Sequence, residues 1–194
     1  MKRIFPIFFT ILALAGCSND TEQATDTTQA EFDKKQAEIE KSIAAQAEQD
    51  RPHFDVPAVD YTAPVAMVNL HNDEEIIAAV GSPVVEKETG ANQNGEPMTT
   101  YYFGDDQRNS LELSLSREFV DVAWKYDQDN PEKAAAVFED GQRISRALLG
   151  GKEGSNLYEA IAKGQKFDTL HLEDGTEIRK ARCGSSVCRY QIVR

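Results

Sequence analysis

Apolar residues recur with strand periodicity through most of the second half of the chain. Leu111, Leu113 and Leu115 alternate with polar residues, which predicts a strand with one dry and one wet face. Other β-prone runs are separated by Gly, Asn, Asp and Pro, the residues that favour turns. The pattern predicts strands at 84–89, 98–103, 111–116, 119–126, 166–172, 176–183 and 187–194.

Helical spacing and capping residues predict three helices among these strands. Asn72 followed by acidic residues marks the start of a helix over 73–80, which Gly81 and Pro83 end. Asn130-Pro131 starts a second helix that runs to Gly150-Gly151, and Ser155 starts a third that ends at Gly164. The sequence therefore predicts an α+β fold of antiparallel strands packed with three helices. The order of elements is compatible with two helix-then-strands units.

The residues before this domain have a different composition. Residues 17–27 are polar and predict a flexible tether, whereas 28–51 are rich in Ala, Glu, Gln and Lys and predict a helix. Its apolar stripe would rest on the protein's own domain, meet a partner helix or mediate self-association. Three prolines predict an extended spacer over 52–66, which leaves 67–194 as the folded domain.

The first residues have the order of a secretory signal. Met1-Lys2-Arg3 is cationic, and an apolar run follows that is too short to span a membrane. Leu14-Ala15-Gly16-Cys17 then resembles the lipobox of bacterial lipoproteins. The resemblance implies that residues 1–16 are a signal peptide and that Cys17 carries the lipid, palmitate included. The alternative is an uncleaved anchor.

The same resemblance implies a location. Ser18 follows the cysteine, and in this family a residue other than Asp at that position usually directs the lipoprotein to the outer membrane. We therefore expect an outer-membrane, lipid-anchored protein that faces the periplasm, with the inner membrane and the cell surface as alternatives.

Residues 72–126 carry a second, looser resemblance. Their capped helix, Gly81-Ser82-Pro83 and Tyr101-Tyr102-Phe103 look like the pattern of the small SmpA/OmlA-type outer-membrane lipoproteins, although the family's pair of adjacent helices is missing. This resemblance implies a scaffold or assembly role without catalysis.

Two cysteines fall close together near the end of the chain. Cys183 and Cys188 flank a Gly-Ser-Ser turn, where opposed residues of a hairpin can approach disulfide distance. We expect a structural disulfide; a redox pair is the alternative. The three histidines are scattered, so we expect no metal site, and no cofactor is indicated.

Charge is distributed unevenly. The chain has 21 Lys and Arg against 33 Asp and Glu, a net charge of −12, which argues against a nucleic-acid partner. The last hairpin is nevertheless basic, with Glu177 as its one acid between residues 176 and 194. We expect its cations either to be solvated or paired with the protein's own carboxylates, or to contact an anionic partner, such as lipid phosphates or an acidic protein surface: Arg179, Lys180, Arg182, Arg189 and Arg194.

The sequence contains none of three common catalytic or nucleotide-binding motifs. The sequence has no Gly-x-Ser-x-Gly, no phosphate-binding Gly-rich loop ending in Lys-Ser or Lys-Thr, and no His-Glu-x-x-His. We expect a non-catalytic binding or scaffold component of the cell envelope, attached to the membrane through Cys17 and bound to an envelope protein. The alternatives are an immunity or inhibitor lipoprotein that neutralises a toxin or envelope hydrolase, and an unrecognised envelope enzyme.

Overall fold

The computed structural model describes residues 24–194, and the chain divides into two units, Met1–Ser42 and Ile43–Arg194. The predicted signal peptide, Cys17 and the tether up to residue 23 lie outside the described residues. Helix α1 spans Ala24–Asp50, so it starts within the predicted tether rather than at Thr28. Ile39 and Ile43 are exposed.

The α+β fold is confirmed in residues 67–194. Three further helices and seven strands follow α1: α2 (Asp73–Ala79), β1 (Val84–Ala91), β2 (Pro97–Asp106), β3 (Asn109–Ser116), β4 (Phe119–Lys125), α3 (Pro131–Leu149), α4 (Gly151–Ala162), β5 (Phe167–His171), β6 (Glu177–Cys183) and β7 (Val187–Val193). The predicted caps form, since the side chain of Asn72 accepts hydrogen bonds from the amides of Glu74 and Glu75, and that of Asn130 accepts one from Lys133.

All seven strands belong to one antiparallel sheet in the order β1-β2-β3-β4-β7-β6-β5. Each of the two predicted helix-then-strands units contributes one side of it. Their last strands, β4 and β7, pair at the centre, where Val122 lies opposite Tyr190. The two helix-then-strands units, both within residues 73–193, therefore share one sheet and one core.

The core lies between one face of the sheet and the helices. Helix α3 contacts β3 and β4, while α4 contacts β6. Trp124 is fully buried and stacks on Tyr158 of α4, with ring centroids 6.2 Å apart. A Cβ atom on Gly141 would stand 2.8 Å from the Trp124 ring, so a glycine is what lets α3 approach the sheet.

Helix α4 begins earlier than predicted. The sequence predicted a start at Ser155, but α4 starts at Gly151, directly after Gly150. Gly150 has a φ of +84°, a conformation that glycine adopts without strain, so the chain reverses there in one residue. The Gly150-Gly151 pair thus ends one helix and starts the next.

The sequence predicted an extended spacer over 52–66, and residues 51–66, called the strap below, pack on the helices of the domain. Phe54 packs edge-to-face on Phe138 of α3, with ring centroids 5.3 Å apart. The guanidinium of Arg146 donates a 2.6 Å hydrogen bond to the Ala63 carbonyl, and Tyr158 donates its hydroxyl to Pro57. An extended chain with prolines leaves its carbonyls free, and side chains of α3 and α4 pair with them. The folded unit therefore includes the strap.

Candidate binding surface on the open face of the sheet

The second face of the sheet has no helical cover from residues 51–194. Because side chains alternate along each strand, the residues between the buried ones point to this open face. They are polar near the centre: Glu112 and Ser114 on β3, Asp121 on β4, and Arg189 and Gln191 on β7. Such a face presents hydrogen-bonding and charged groups in fixed positions.

A groove of about 490 Å³ lies on this open face. Its lining runs from the β1–β2 loop, residues 92–94, across five strands to Arg179, Lys180 and Arg189. The loop is held by Asn92, whose Oδ1 accepts hydrogen bonds from the amides of Asn94 and Glu96. The Nδ2 atom of Asn92 is buried and has no hydrogen-bond partner in the described structure. One wall of the groove, called the amide wall, therefore consists of the amide side chains of residues 92–94. The other, called the cationic wall, consists of Arg179, Lys180 and Arg189.

A β-bulge shapes the cationic wall. The register of β6 against β7 shifts between Arg179 and Arg182, and Lys180 has a φ of +53°. Lys180 is the one residue other than glycine with positive φ in residues 24–194. A bulge re-aims side chains and costs backbone energy when the residue is not glycine. Here it places Arg179 and Lys180, neighbours in sequence, along the same groove.

Asp121 lies half-buried within the groove lining. Gln191 donates its Nε2 hydrogens to both carboxylate oxygens, at 3.0 and 3.1 Å. Burial raises the pKa of Asp121, and the Gln191 hydrogen bonds and the charges of Arg189 and Lys180 oppose that rise. The groove therefore contains a desolvated carboxylate close to two cations.

The five predicted cations do not form one surface. Lys180, Arg182 and Arg189 are exposed and make no ion pair with a described residue. Arg179 pairs with Glu177 at 2.5 Å and lies over the Phe119 ring, 5.7 Å from its centroid.

The candidate role of Arg194 requires correction. Its side chain is only 6% exposed, and it donates hydrogen bonds to the Ser116 carbonyl and the Asp73 carboxylate. The last residue of the chain ties the sheet to the start of α2 in this way, so its guanidinium is not free to contact an anionic partner.

The opposite side of the open face is acidic. Glu86 and Glu88 lie on the edge strand β1, paired with Tyr102 and Thr100 of β2. Tyr102 donates its hydroxyl to the Glu88 carboxylate at 2.9 Å, and this hydrogen bond is the main reason that the pKa of Tyr102 rises to about 12. The open face thus changes from acidic at β1 to basic at β6 and β7.

Cys183 and Cys188 are bonded to each other. They lie directly opposite at the end of the β6–β7 hairpin, and both are buried. The hydroxyl of Tyr126 donates to the Gly184 carbonyl at 2.5 Å, which fixes the turn between the two cysteines to the end of β4. The disulfide thereby closes the hairpin that carries the exposed cations.

Sequence reasoning missed the amide wall and Asp121. Residues 90–97 were predicted only as a turn, and the fold of that loop over the sheet depends on contacts distant in sequence. Asp121 offered a signal, since a charged residue among the apolar residues of a predicted strand is unusual.

Residues 24–194 contain no group of three or more His, Cys, Asp or Glu side chains arranged to hold a metal ion. No helix in the same range is long and apolar enough to cross a membrane. Comparison of the chain with protein-family models, with curated proteins and with solved structures found no match. The resemblances to bacterial lipoproteins and to SmpA/OmlA-type proteins therefore stay predictions.

Proposed function

We propose that this protein is a lipid-anchored, non-catalytic binding or scaffold component of the cell envelope, which holds a partner protein on the open face of its sheet. The anchor is Cys17, by the resemblance of Leu14-Ala15-Gly16-Cys17 to a lipobox. A single acyl chain binds a membrane reversibly, whereas two or more give a stable anchor. The outer membrane, facing the periplasm, is the proposed location.

One observation carries the binding role: a seven-stranded sheet with helices on one face and a polar groove on the other. Antiparallel sheets commonly have one solvated face, so exposure by itself means little. The difference here is that the face holds a bulge at Lys180, a half-buried carboxylate and three exposed cations that make no ion pair with a described residue, Lys180, Arg182 and Arg189. Groups that cost stability in the free protein are typical of functional surfaces.

The test of the binding role is site-specific photo-cross-linking in intact cells. A photo-reactive residue at Ser114 would report on the groove, and one at Glu139, exposed on α3, is the matched control on the helical side. We expect one defined cross-linked partner from Ser114 and none from Glu139. Equal patterns from both positions would contradict the role of the open face.

The same experiment separates the two candidate functions. A resident envelope protein as the partner supports a scaffold, whereas a single secreted toxin or hydrolase captured one-to-one supports an immunity or inhibitor protein. Incorporation of labelled palmitate, lost in Cys17→Ser, tests the anchor independently of the partner.

A further inference from the structure

The exposed cations of the last hairpin lie close enough together to repel one another. Arg182 and Arg189 are directly opposite each other on β6 and β7, and like charges in that position destabilise a sheet. Neither makes an ion pair with a described residue, although the protein carries a net charge of −12. Lys180 adds a third positive charge through a backbone conformation that its side chain disfavours. An anionic partner would relieve this repulsion.

The groove beside these cations has the dimensions of an extended peptide. Beyond Ala91 at the end of β1 and the adjoining loop, its lining residues come from five adjacent strands, β2, β3, β4, β7 and β6. Neighbouring strands are about 4.8 Å apart, so the groove crosses about 19 Å of sheet, the length of five or six extended residues. A single phosphate group would fill only a fraction of that length.

The other lining groups also suit a peptide backbone. The side-chain amides of residues 92–94 can both donate and accept hydrogen bonds. Asp121 and Glu112 offer acceptors to backbone N–H groups. A phosphate diester has no hydrogen to donate to those two carboxylates, whereas a peptide backbone does, so the observations favour a protein over a membrane.

We infer that the groove binds an extended acidic segment of a partner protein, with acidic side chains on Lys180 and Arg189 and backbone groups on the amide wall and Asp121. This inference rests on the proposed function and gives the partner its chemistry. Glu86 and Glu88 on β1 restrict the acidic side chains of such a segment to the basic side of the open face, while its backbone reaches across to the amide wall.

The test uses the full chain with Cys17→Ser in a neutral detergent and a fluorescein-labelled ten-residue peptide of alternating Glu and Thr. Fluorescence anisotropy should show saturable binding that weakens at least tenfold between 50 and 500 mM salt, because the contact depends on ion pairs. The matching peptide of Gln and Thr should bind at least tenfold more weakly.

Two variants and a matched control locate the contact. Lys180→Gln with Arg189→Gln should weaken the acidic peptide at least tenfold, whereas Lys87→Gln with Lys152→Gln removes the same charge outside the groove and should change affinity less than threefold. Asn94→Asp, a nearly isosteric change on the opposite wall, should weaken binding without affecting the sheet. Binding should also shift the side-chain amide NMR signals of Asn92, Gln93 and Asn94.

Three results would overturn the inference: no saturable binding of the acidic peptide, equal losses in the groove and control variants, or competition by glycerol phosphate, the polar part of an anionic phospholipid, at concentrations comparable with the peptide. Cross-linking of a protein partner from Ser114 together with failure of the acidic peptide would leave the proposed function standing and remove only the acidic occupant.

Discussion

Gly154 of α4 lies against the backbone of Ser145 in α3, so closely that a Cβ atom on the glycine would stand 2.2 Å from the Ser145 carbonyl oxygen. The two helices are consecutive and pack together where Ser145 and Ser155 are fully buried. The hydroxyls of both serines bond to carbonyls one turn earlier in their own helices, so the close packing leaves these two polar groups satisfied. The absence of a side chain at residue 154 therefore sets the distance between α3 and α4.

Gly154→Ala should accordingly destabilise the fold by about 2–3 kcal/mol, the usual cost of forcing a methyl group into a packed interior. Urea unfolding at neutral pH, followed by circular dichroism, measures the loss. Gly90→Ala is the matched control, because a Cβ atom there meets nothing within 4 Å; it should be neutral or slightly stabilising. Equal effects at the two positions would show that the helices can move apart at little cost.

Local signals in the sequence predicted most of the fold. The Asn72 and Asn130 caps, the leucine alternation in β3 and the glycine turns each depend on a few neighbouring residues, and all of them form. The sequence predicted an extended spacer at the strap but not its packing, because an extended chain with prolines has no periodicity to reveal what it packs against. Its contacts join residues as far apart as Pro57 and Tyr158.

The candidate site was predicted only in part for the same reason. Composition identified the basic hairpin, but it could not separate the buried Arg194 from the exposed Lys180. That separation depends on a bulge and on the pairing of Arg194 with Asp73, both consequences of tertiary structure. The amide wall is likewise created by the fold of a loop over the sheet.

Removing the strap should destabilise the domain. A chain that starts at residue 67, the predicted domain boundary, lacks Phe54 and the carbonyl of Ala63, so it exposes aromatic rings of the core and leaves Arg146 without its backbone acceptor. A chain that starts at residue 51 retains both. We expect the shorter chain to lose at least about 3 kcal/mol of unfolding free energy, given the cost of truncating core aromatics. Equal urea midpoints would mean that the strap is only an attached spacer.

Phe54→Ala within the full chain tests the same contact without truncation. Because Phe54 is only half-buried, we expect a loss of about 2 kcal/mol, less than for a fully buried phenylalanine. Tyr61→Ala, at an exposed position in the strap, is the control and should change the unfolding free energy by less than about 0.5 kcal/mol.

Loss of the Cys183–Cys188 disulfide should lower stability modestly. The bond closes a short loop, for which the chain-entropy estimate is about 2 kcal/mol. Cys183→Ala with Cys188→Ala should therefore unfold at lower urea concentration but remain folded at 25 °C. The oxidised protein treated with reductant should approach the double variant, and the double variant itself should not respond. A larger loss of unfolding free energy, together with broadened or shifted NMR signals of Lys180 and Arg189, would indicate that the bond also holds the basic hairpin in register.

Asp121 should cost the protein stability at neutral pH. Burial raises its pKa in the folded state, so at a pH between the unfolded and folded pKa values the folded protein retains a proton that the unfolded chain has already released. Stability contributed by this group is therefore fully present below the unfolded pKa and is lost as pH rises through the folded value. Asp121→Asn, which cannot ionise and keeps one oxygen as an acceptor for Gln191, should raise the melting temperature at pH 7 and change it little at pH 3. Asp168→Asn, at an exposed position of β5, is the control for charge removal.

The same substitution links stability to binding. At pH 7, Asp121→Asn removes a negative charge from the groove. If repulsion between Asp121 and the acidic side chains dominates, an acidic peptide should bind the variant more tightly. If Asp121 accepts hydrogen bonds from the peptide backbone, the peptide should bind the variant more weakly. The contacts inferred for the groove require the second result: higher melting temperature together with lower affinity. A variant with both a higher melting temperature and a higher affinity would show that the carboxylate only repels the peptide. Asp121 would then have no part in recognising the peptide backbone.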